Sequence, residues 1–61
     1  MMGEFELKKN DKGQYYFNLK ASNGQIIASS QMYKNRANAL KGIESVRKHA
    51  ADAKLNDHTI D

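Results

Sequence analysis

The sequence predicts an α+β fold, βββα, in which a three-stranded antiparallel meander is followed by one C-terminal helix packed on one sheet face. Two observations predict it. Apolar and polar residues alternate through the first half of the chain, and this is the period of half-buried strands. From Asn35 onward the apolar residues recur at i, i+3, i+4 and i+7, a spacing typical of an amphipathic helix.

The first predicted hairpin joins two alternating segments. Phe5 and Leu7 alternate with charged residues over residues 4–9, and a second alternating segment covers residues 14–21. The intervening Asn10-Asp11-Lys12-Gly13 consists of turn formers and ends in glycine. We therefore expect a hairpin loop of three to five residues, closed by a glycine in the left-handed conformation.

The second predicted hairpin is set by Asn23-Gly24, which lies between two apolar-rich segments. This dipeptide predicts a two-residue type I′ turn, because both residue types tolerate positive φ. Such a turn pairs Ala21 with Ile26 and Leu19 with Ala28, and it turns Ile27 to the opposite face. The core face of the sheet is then predicted to consist of Phe5, Leu7, Tyr15, Phe17, Leu19, Ile26 and Ala28.

The helix is predicted over residues 36–50, with Asn35 as its N-cap. Gly42 lies on the flank of its apolar stripe, and a glycine there predicts a close approach between helix and sheet. Residues 1–50 are expected to form the single domain, and residues 51–61 a flexible tail. The apolar stripe itself consists of Ala39, Leu40, Ile43, Val46 and Ala50.

The composition limits how such a chain can be stabilised. A domain of 61 residues buries only about 60% of the surface that its unfolded chain exposes. The chain has no cysteine, which excludes disulfides and thiolate metal sites and fits a reducing cytoplasm. No signal peptide or membrane span is expected from the apolar pattern. Association therefore remains as a source of further burial, and we expect a cytoplasmic homodimer.

Several separated blocks of the sequence resemble one known family. The resemblance covers residues 4–49 and departs from the family pattern at Tyr16 and at Lys34-Asn35. The chain is similar to the YegP-like family of small bacterial proteins of uncharacterised function. This resemblance implies a βββα unit that occurs once per chain or as two tandem copies, and it implies no enzyme activity. The blocks are Gly13-Gln14-Tyr15, Phe17, Leu19-Lys20-Ala21, Asn23-Gly24-Gln25-Ile26-Ile27, Tyr33, Arg36-Ala37, Ala39 and Gly42-Ile43-Glu44-Ser45-Val46.

No residue pattern predicts catalysis, a cofactor, a metal ion or a small-molecule ligand. His49 and His58 are the two histidines, and no thiol is available to complete a zinc site with them. Glu4 and Glu6 lie two residues apart on one strand, where solvated charges are expected rather than an acid-base pair. A small sheet with one helix also offers little concavity for a substrate. We therefore predict that the chain is not an enzyme.

Two surfaces are candidates for binding. Tyr16 and Ile27 share the predicted face away from the helix, and they form the candidate dimer interface. The alternative is a nucleic-acid interface on the basic helix face, for which Glu44 is an adverse neighbour of the lysines. Its candidate contacts are Lys34, Arg36, Lys41 and Lys48.

Overall fold

The structure is a computed structural model that describes residues 2–59, and it has the predicted βββα fold. The three strands form one antiparallel sheet in the order β1-β2-β3. Residues 53–59 follow the helix without regular secondary structure. Residues 60 and 61 of the predicted tail lie outside the described part of the chain, and the tail's flexibility stays a prediction. The elements are β1 (Glu4–Lys9), β2 (Tyr15–Lys20), β3 (Ile26–Ser29) and α1 (Arg36–Ala50).

The first hairpin has the loop that the sequence predicts. The Asn10 amide donates to the Gln14 carbonyl at 2.9 Å, and the Gly13 amide donates to the Asn10 carbonyl at 3.1 Å. Gly13 has a φ of 81°, which glycine adopts without steric cost. The Asn10 side chain also accepts from the Gln14 amide at 2.9 Å. The loop therefore has three residues and closes in the left-handed conformation.

The second hairpin repeats this geometry, and the predicted type I′ turn is wrong. The Ala21 amide donates to the Gln25 carbonyl at 2.8 Å, which leaves a three-residue loop. Gly24 has a φ of 88°, but Asn23 does not have a positive φ. Asn23 instead acts through its side chain, whose oxygen accepts from the Gln25 amide at 3.0 Å. The loop is a three-residue type closed by a left-handed glycine.

The extra loop residue is absorbed by a β-bulge in β3. Leu19 pairs with Ala28 as predicted, but Lys20 pairs with Ile26 rather than with Ile27. A bulge places two residues of one strand opposite one residue of its neighbour. Ile26 therefore lies on the face of Lys20 and not in the core, and the prediction that buries it is wrong. Ile26 is 55% exposed and Ile27 is 62% exposed.

We expect Gly24→Ala to reduce the free energy of unfolding by about 1–2 kcal/mol, because a Cβ in the left-handed region is strained. Ser22→Ala is the matched control, since it lies in the same exposed loop and requires no positive φ. Urea unfolding of both variants tests this expectation. Equal urea midpoints for the two variants would show that the left-handed conformation of Gly24 does not contribute to the stability of the fold.

The helix begins and ends at the predicted residues. The Asn35 side chain accepts a hydrogen bond from the Asn38 amide at 2.8 Å, which satisfies one of the free amides of the first turn. Arg47 lies in the basic last turn, where a cation interacts favourably with the helix dipole. Its guanidinium also covers the ring of Phe5 at 5.5 Å from the centroid. Asn35 is confirmed as the N-cap.

Phe17 is the centre of a small core. It is 6% exposed, and the other buried apolar residues in the described part of the chain are Ala39 and Ile43. The Phe17 ring meets Phe5 edge-on at 5.9 Å and stacks on Tyr33 at 6.2 Å. Other predicted core residues are only half-buried, namely Leu7, Tyr15, Leu19 and Val46, whereas Ala28, Leu40 and Ala50 are exposed.

Tyr33 explains the glycine in the middle of the helix. Tyr33 lies beyond β3 but pairs with Tyr15 through two backbone hydrogen bonds of 2.9 and 2.7 Å. Its hydroxyl occupies the place that a Cβ on Gly42 would take. Such a Cβ would also lie 2.9 Å from Tyr33 Cζ and 3.1 Å from Phe17 Cε2. The predicted close approach therefore exists, and aromatic side chains make it.

Candidate functional site

The helix covers only part of the sheet. Within residues 2–59, α1 contacts β1 and β2 but not β3. An open groove of about 590 Å³ consequently separates the helix from the third strand. It is lined by Phe17, Leu19, Ala28, Ser29, Ser30, Gln31, Tyr33, Gly42, Ser45, Val46, His49, Ala50 and Ala53.

Most of the surface that lines the groove is apolar. Leu19 and Ala28 contribute from the sheet, and Val46 and Ala50 contribute from the helix. The lining contains serine and glutamine side chains and one imidazole, from His49, but no lysine, arginine or carboxylate. General acid-base catalysis uses titrating groups placed around a substrate, and the groups of that kind in this lining are His49 and Tyr33. An apolar surface of this kind is typical of a protein interface.

The sequence alone does not indicate this groove. Its walls come from two strands, the β3–α1 connection and the helix, so no local spacing indicates them. Gly42 is the one signal of it in the sequence, because a glycine there lets Tyr33, which also lines the groove, lie against the helix.

The opposite face of the sheet is polar at its centre. Glu6 and Lys20 form an ion pair at 3.1 Å. Asn18, which is 7% exposed, accepts a hydrogen bond from the Ser29 hydroxyl at 2.8 Å. These pairs satisfy the polar groups of neighbouring strands within the sheet. The centre of this face therefore gives a partner little apolar surface to cover.

The structure separates the two residues of the predicted dimer interface. Tyr16 is half-buried and pairs with Lys8, whereas Ile27 lies at the bulge beside Lys20. Four residues of an extended strand separate these two positions, which corresponds to about 13 Å. Tyr16 and Ile27 therefore do not form one continuous patch, and their role in association stays a prediction.

The four basic residues of the alternative interface also divide into two groups. Lys34 and Arg36 lie at the beginning of the helix, beside the first hairpin, whereas Lys41 and Lys48 share the outer surface of α1. At 3.6 residues per turn, Arg36 and Lys41 point about 140° apart around the helix axis. Glu44 lies near both lysines and pairs with Arg47 at 3.7 Å. The helix does not present these residues as one basic face.

The polar residues considered for chemistry are not assembled into a site. Among residues 2–59 no three histidine, aspartate or glutamate side chains are grouped as metal ligands. Thr59 donates its hydroxyl and its amide to the Asp57 carboxylate, and these hydrogen bonds lower the pKa of Asp57. That carboxylate is fully exposed in the tail, where it closes a local turn.

The elements that the structure describes include no helix with the length and apolarity needed to cross a membrane.

The chain is similar to curated proteins of about its own length and to others about twice as long. It is 55% identical over 49 residues to the UPF0339 protein YegP of Yersinia pestis, a match of 80% of the chain but 44% of that protein. A UPF0339 protein of Treponema denticola is 49% identical over 53 residues, which cover 87% of the chain and 91% of that protein. The chain therefore spans about half the length of several curated relatives and nearly all of others.

A solved structure has the same fold. The NMR solution structure of a protein from Haloferax volcanii is 32% identical in sequence and superimposes with a TM-score of 0.81. The match covers 92% of the chain and 95% of that protein. A family model described as "Domain of unknown function (DUF1508)" matches residues 10–57. The chain is thus a member of the DUF1508 family, and its predicted resemblance to the YegP-like proteins is confirmed.

Proposed function

We propose that the chain is a non-enzymatic interaction module that forms a homodimer through the groove between α1 and β3. The observation that carries this proposal is the incomplete cover of the sheet, because α1 contacts β1 and β2 and leaves β3 bare. The second copy places apolar side chains against Leu19, Ala28 and Val46, and it thereby supplies the cover that the helix does not provide.

The chain exposes more surface than a compact monomer of its mass. The chain exposes 5275 Å², whereas a compact monomer of 6.9 kDa is expected to expose about 4000 Å². Its radius of gyration is 13.4 Å, against about 10.5 Å for a compact domain of this length. The tail contributes to both differences. A second copy that buries about 800 Å² on each partner, as in a standard interface, would bring the exposed area closer to that of a compact protein.

The edges of the sheet also favour association at β3. The outer strand β1 carries Glu4, Glu6, Lys8 and Lys9, and charged residues on an edge strand oppose pairing with another chain. The other edge, β3, has the sequence Ile-Ile-Ala-Ser and all four residues are exposed. A partner that covers the groove therefore meets an uncharged edge strand beside it.

The lengths of the relatives are consistent with this arrangement. YegP of Yersinia pestis is about twice as long as the region it shares with this chain, which leaves room for a second unit beside the first. The UPF0339 proteins of Treponema denticola and Methanosarcina acetivorans are matched over 91% and 93% of their lengths. In the proposed homodimer, a second copy of this unit takes the position that the additional length of such a relative offers to a second unit.

Two neighbouring substitutions test which surface forms the dimer. Ala28→Arg places a charge in the groove, whereas Ile27→Arg places the same charge on a residue that does not line it. Because a desolvated charge opposes association, we expect Ala28→Arg to be monomeric and Ile27→Arg to remain a dimer. Size-exclusion chromatography with light scattering measures both, and far-UV circular dichroism checks that each variant folds. Dissociation by Ile27→Arg alone would instead support the interface predicted at Tyr16 and Ile27.

Nucleic-acid binding by the helix face is the weaker candidate function. Lys41 and Lys48 share the outer surface with Glu44, and Arg47 is already paired with that carboxylate. Binding to a phosphate backbone requires a local excess of positive charge. The outer surface of α1 provides only a small excess.

A further inference from the structure

Basic side chains from three separate segments meet at one end of the molecule. Lys9 pairs with Tyr15 across β1 and β2, and Tyr15 pairs with Tyr33 beyond β3. These pairings place the first hairpin loop and the beginning of α1 at the same end of the sheet. We define the basic end by the five exposed residues there, Lys8, Lys9, Lys12, Lys34 and Arg36.

The basic end carries the whole positive excess of the chain. Its five cations are accompanied by one acid, Asp11, so its net charge is +4, whereas the complete chain has a net charge of +3. The remainder of the molecule is therefore slightly negative. The first turn of α1 contains no acidic residue. The ion pairs formed within residues 2–59, Lys20 with Glu6 and Arg47 with Glu44, involve none of the five cations.

We propose that the basic end binds the phosphate backbone of a nucleic acid. The five cations are exposed and not engaged in ion pairs with carboxylates, which is the condition for release of counterions from the phosphates. None of them lines the groove between α1 and β3. The site is therefore independent of the proposed dimer interface and stays accessible when the groove is covered.

A nucleic acid fits this surface better than an anionic membrane does. Proteins that lie on a bilayer insert large apolar side chains beside their basic residues. The loop between β1 and β2 contains none, since its three residues are Asp11, Lys12 and Gly13. Met32, near Asn10, is the large exposed apolar residue at this end in the described part of the chain, and it is 48% exposed. The surface thus offers five cations but only one half-exposed apolar side chain, which is less than a membrane anchor requires.

The charge of the basic end sets the expected dependence on salt. Neutralising about four phosphates of a duplex gives a slope of about −3.6 in log K against log salt concentration. Binding by one subunit should therefore weaken about 150-fold between 50 and 200 mM salt. No specificity for base sequence is expected, because contacts to phosphates do not distinguish the bases.

Two double variants of equal charge test the position of the site. Lys12→Glu/Lys34→Glu reverses two cations of the basic end, and Lys41→Glu/Lys48→Glu reverses two on the outer surface of the helix. Both variants change the net charge of the chain from +3 to −1. Fluorescence anisotropy with labelled 20-base-pair DNA and RNA duplexes at two salt concentrations measures binding, and circular dichroism confirms folding.

We expect Lys12→Glu/Lys34→Glu to bind the duplexes at least tenfold more weakly in 50 mM salt. The slope of log K against log salt concentration should fall in magnitude by about 2. The affinity of Lys41→Glu/Lys48→Glu for the duplexes should fall at most a few-fold. Binding of either duplex supports the proposal, and the comparison identifies DNA or RNA. Equal losses in both variants, or no binding of the unmodified chain in 50 mM salt, would overturn it. Binding only to vesicles that contain an anionic lipid would assign the surface to a membrane. Sedimentation equilibrium of both variants measures dimer formation independently of duplex binding.

Discussion

Phe17→Ala should cause the largest loss of stability and leave the domain marginally stable or unfolded at 25 °C. Phe17 contacts Phe5 and Tyr33 and lies under Gly42. Removing a buried phenylalanine side chain costs about 3–5 kcal/mol. A chain of 61 residues is expected to have a total stability of only about 3–9 kcal/mol. The substitution therefore removes much or all of the stability of the domain.

Phe5→Ala is the control for this prediction. Phe5 is half-buried, and its ring lies between Phe17 and the Arg47 guanidinium. Because the half-buried ring loses less buried area, Phe5→Ala should reduce the free energy of unfolding by only about 1–2 kcal/mol. Far-UV circular dichroism and urea unfolding of both variants measure the difference. If Phe5→Ala destabilised the protein more than Phe17→Ala, the centre of the core would lie elsewhere.

Gly42→Leu should also destabilise the domain strongly. A side chain at this position overlaps the Tyr33 hydroxyl and crowds the Phe17 ring. Inserting atoms into a packed region typically costs about 1–3 kcal/mol, and leucine must in addition displace Tyr33 from its stack on Phe17. We expect the free energy of unfolding to fall by about 3 kcal/mol, near the upper end of that range.

Gly42→Ala separates packing from helix propensity. Propensity alone predicts a gain of about 1 kcal/mol for alanine, but its Cβ meets the ring and hydroxyl of Tyr33. We therefore expect Gly42→Ala to lower the melting temperature in the natural chain. In a chain that already carries Tyr33→Ala, the same substitution should raise it. If Gly42→Ala raised the melting temperature both in the natural chain and in the Tyr33→Ala chain, Tyr33 would not approach the helix.

The elements that the sequence predicted correctly depend on local interactions. The helix limits follow from the side chain of Asn35 and the apolar spacing that begins after it, and both signals lie within a few residues of the structure they specify. The first hairpin follows from the glycine that closes its loop. The strands follow from alternation, which reports which residues face the core.

The errors arise where a second segment decides the outcome. The Asn23-Gly24 dipeptide is compatible with a two-residue loop and with a three-residue loop. The three-residue loop forms here because the β-bulge near Ile27 restores the pairing of Leu19 with Ala28. Tyr33 enters the core by pairing with Tyr15 across an irregular segment, which no alternation indicates. The groove and the basic end also combine residues from segments far apart in the sequence. Both surfaces therefore require the topology before they can be seen.

The central claim is that the chain is a homodimer. Sedimentation equilibrium over the micromolar range tests it, together with the melting temperature measured at the same concentrations. A dimer adds its association free energy to the stability of the fold, so the melting temperature depends on protein concentration. We predict an average mass that rises from 6.9 kDa toward twice that value, with melting that shifts upward in parallel. A single species of 6.9 kDa at every concentration, with constant melting, would contradict the homodimer.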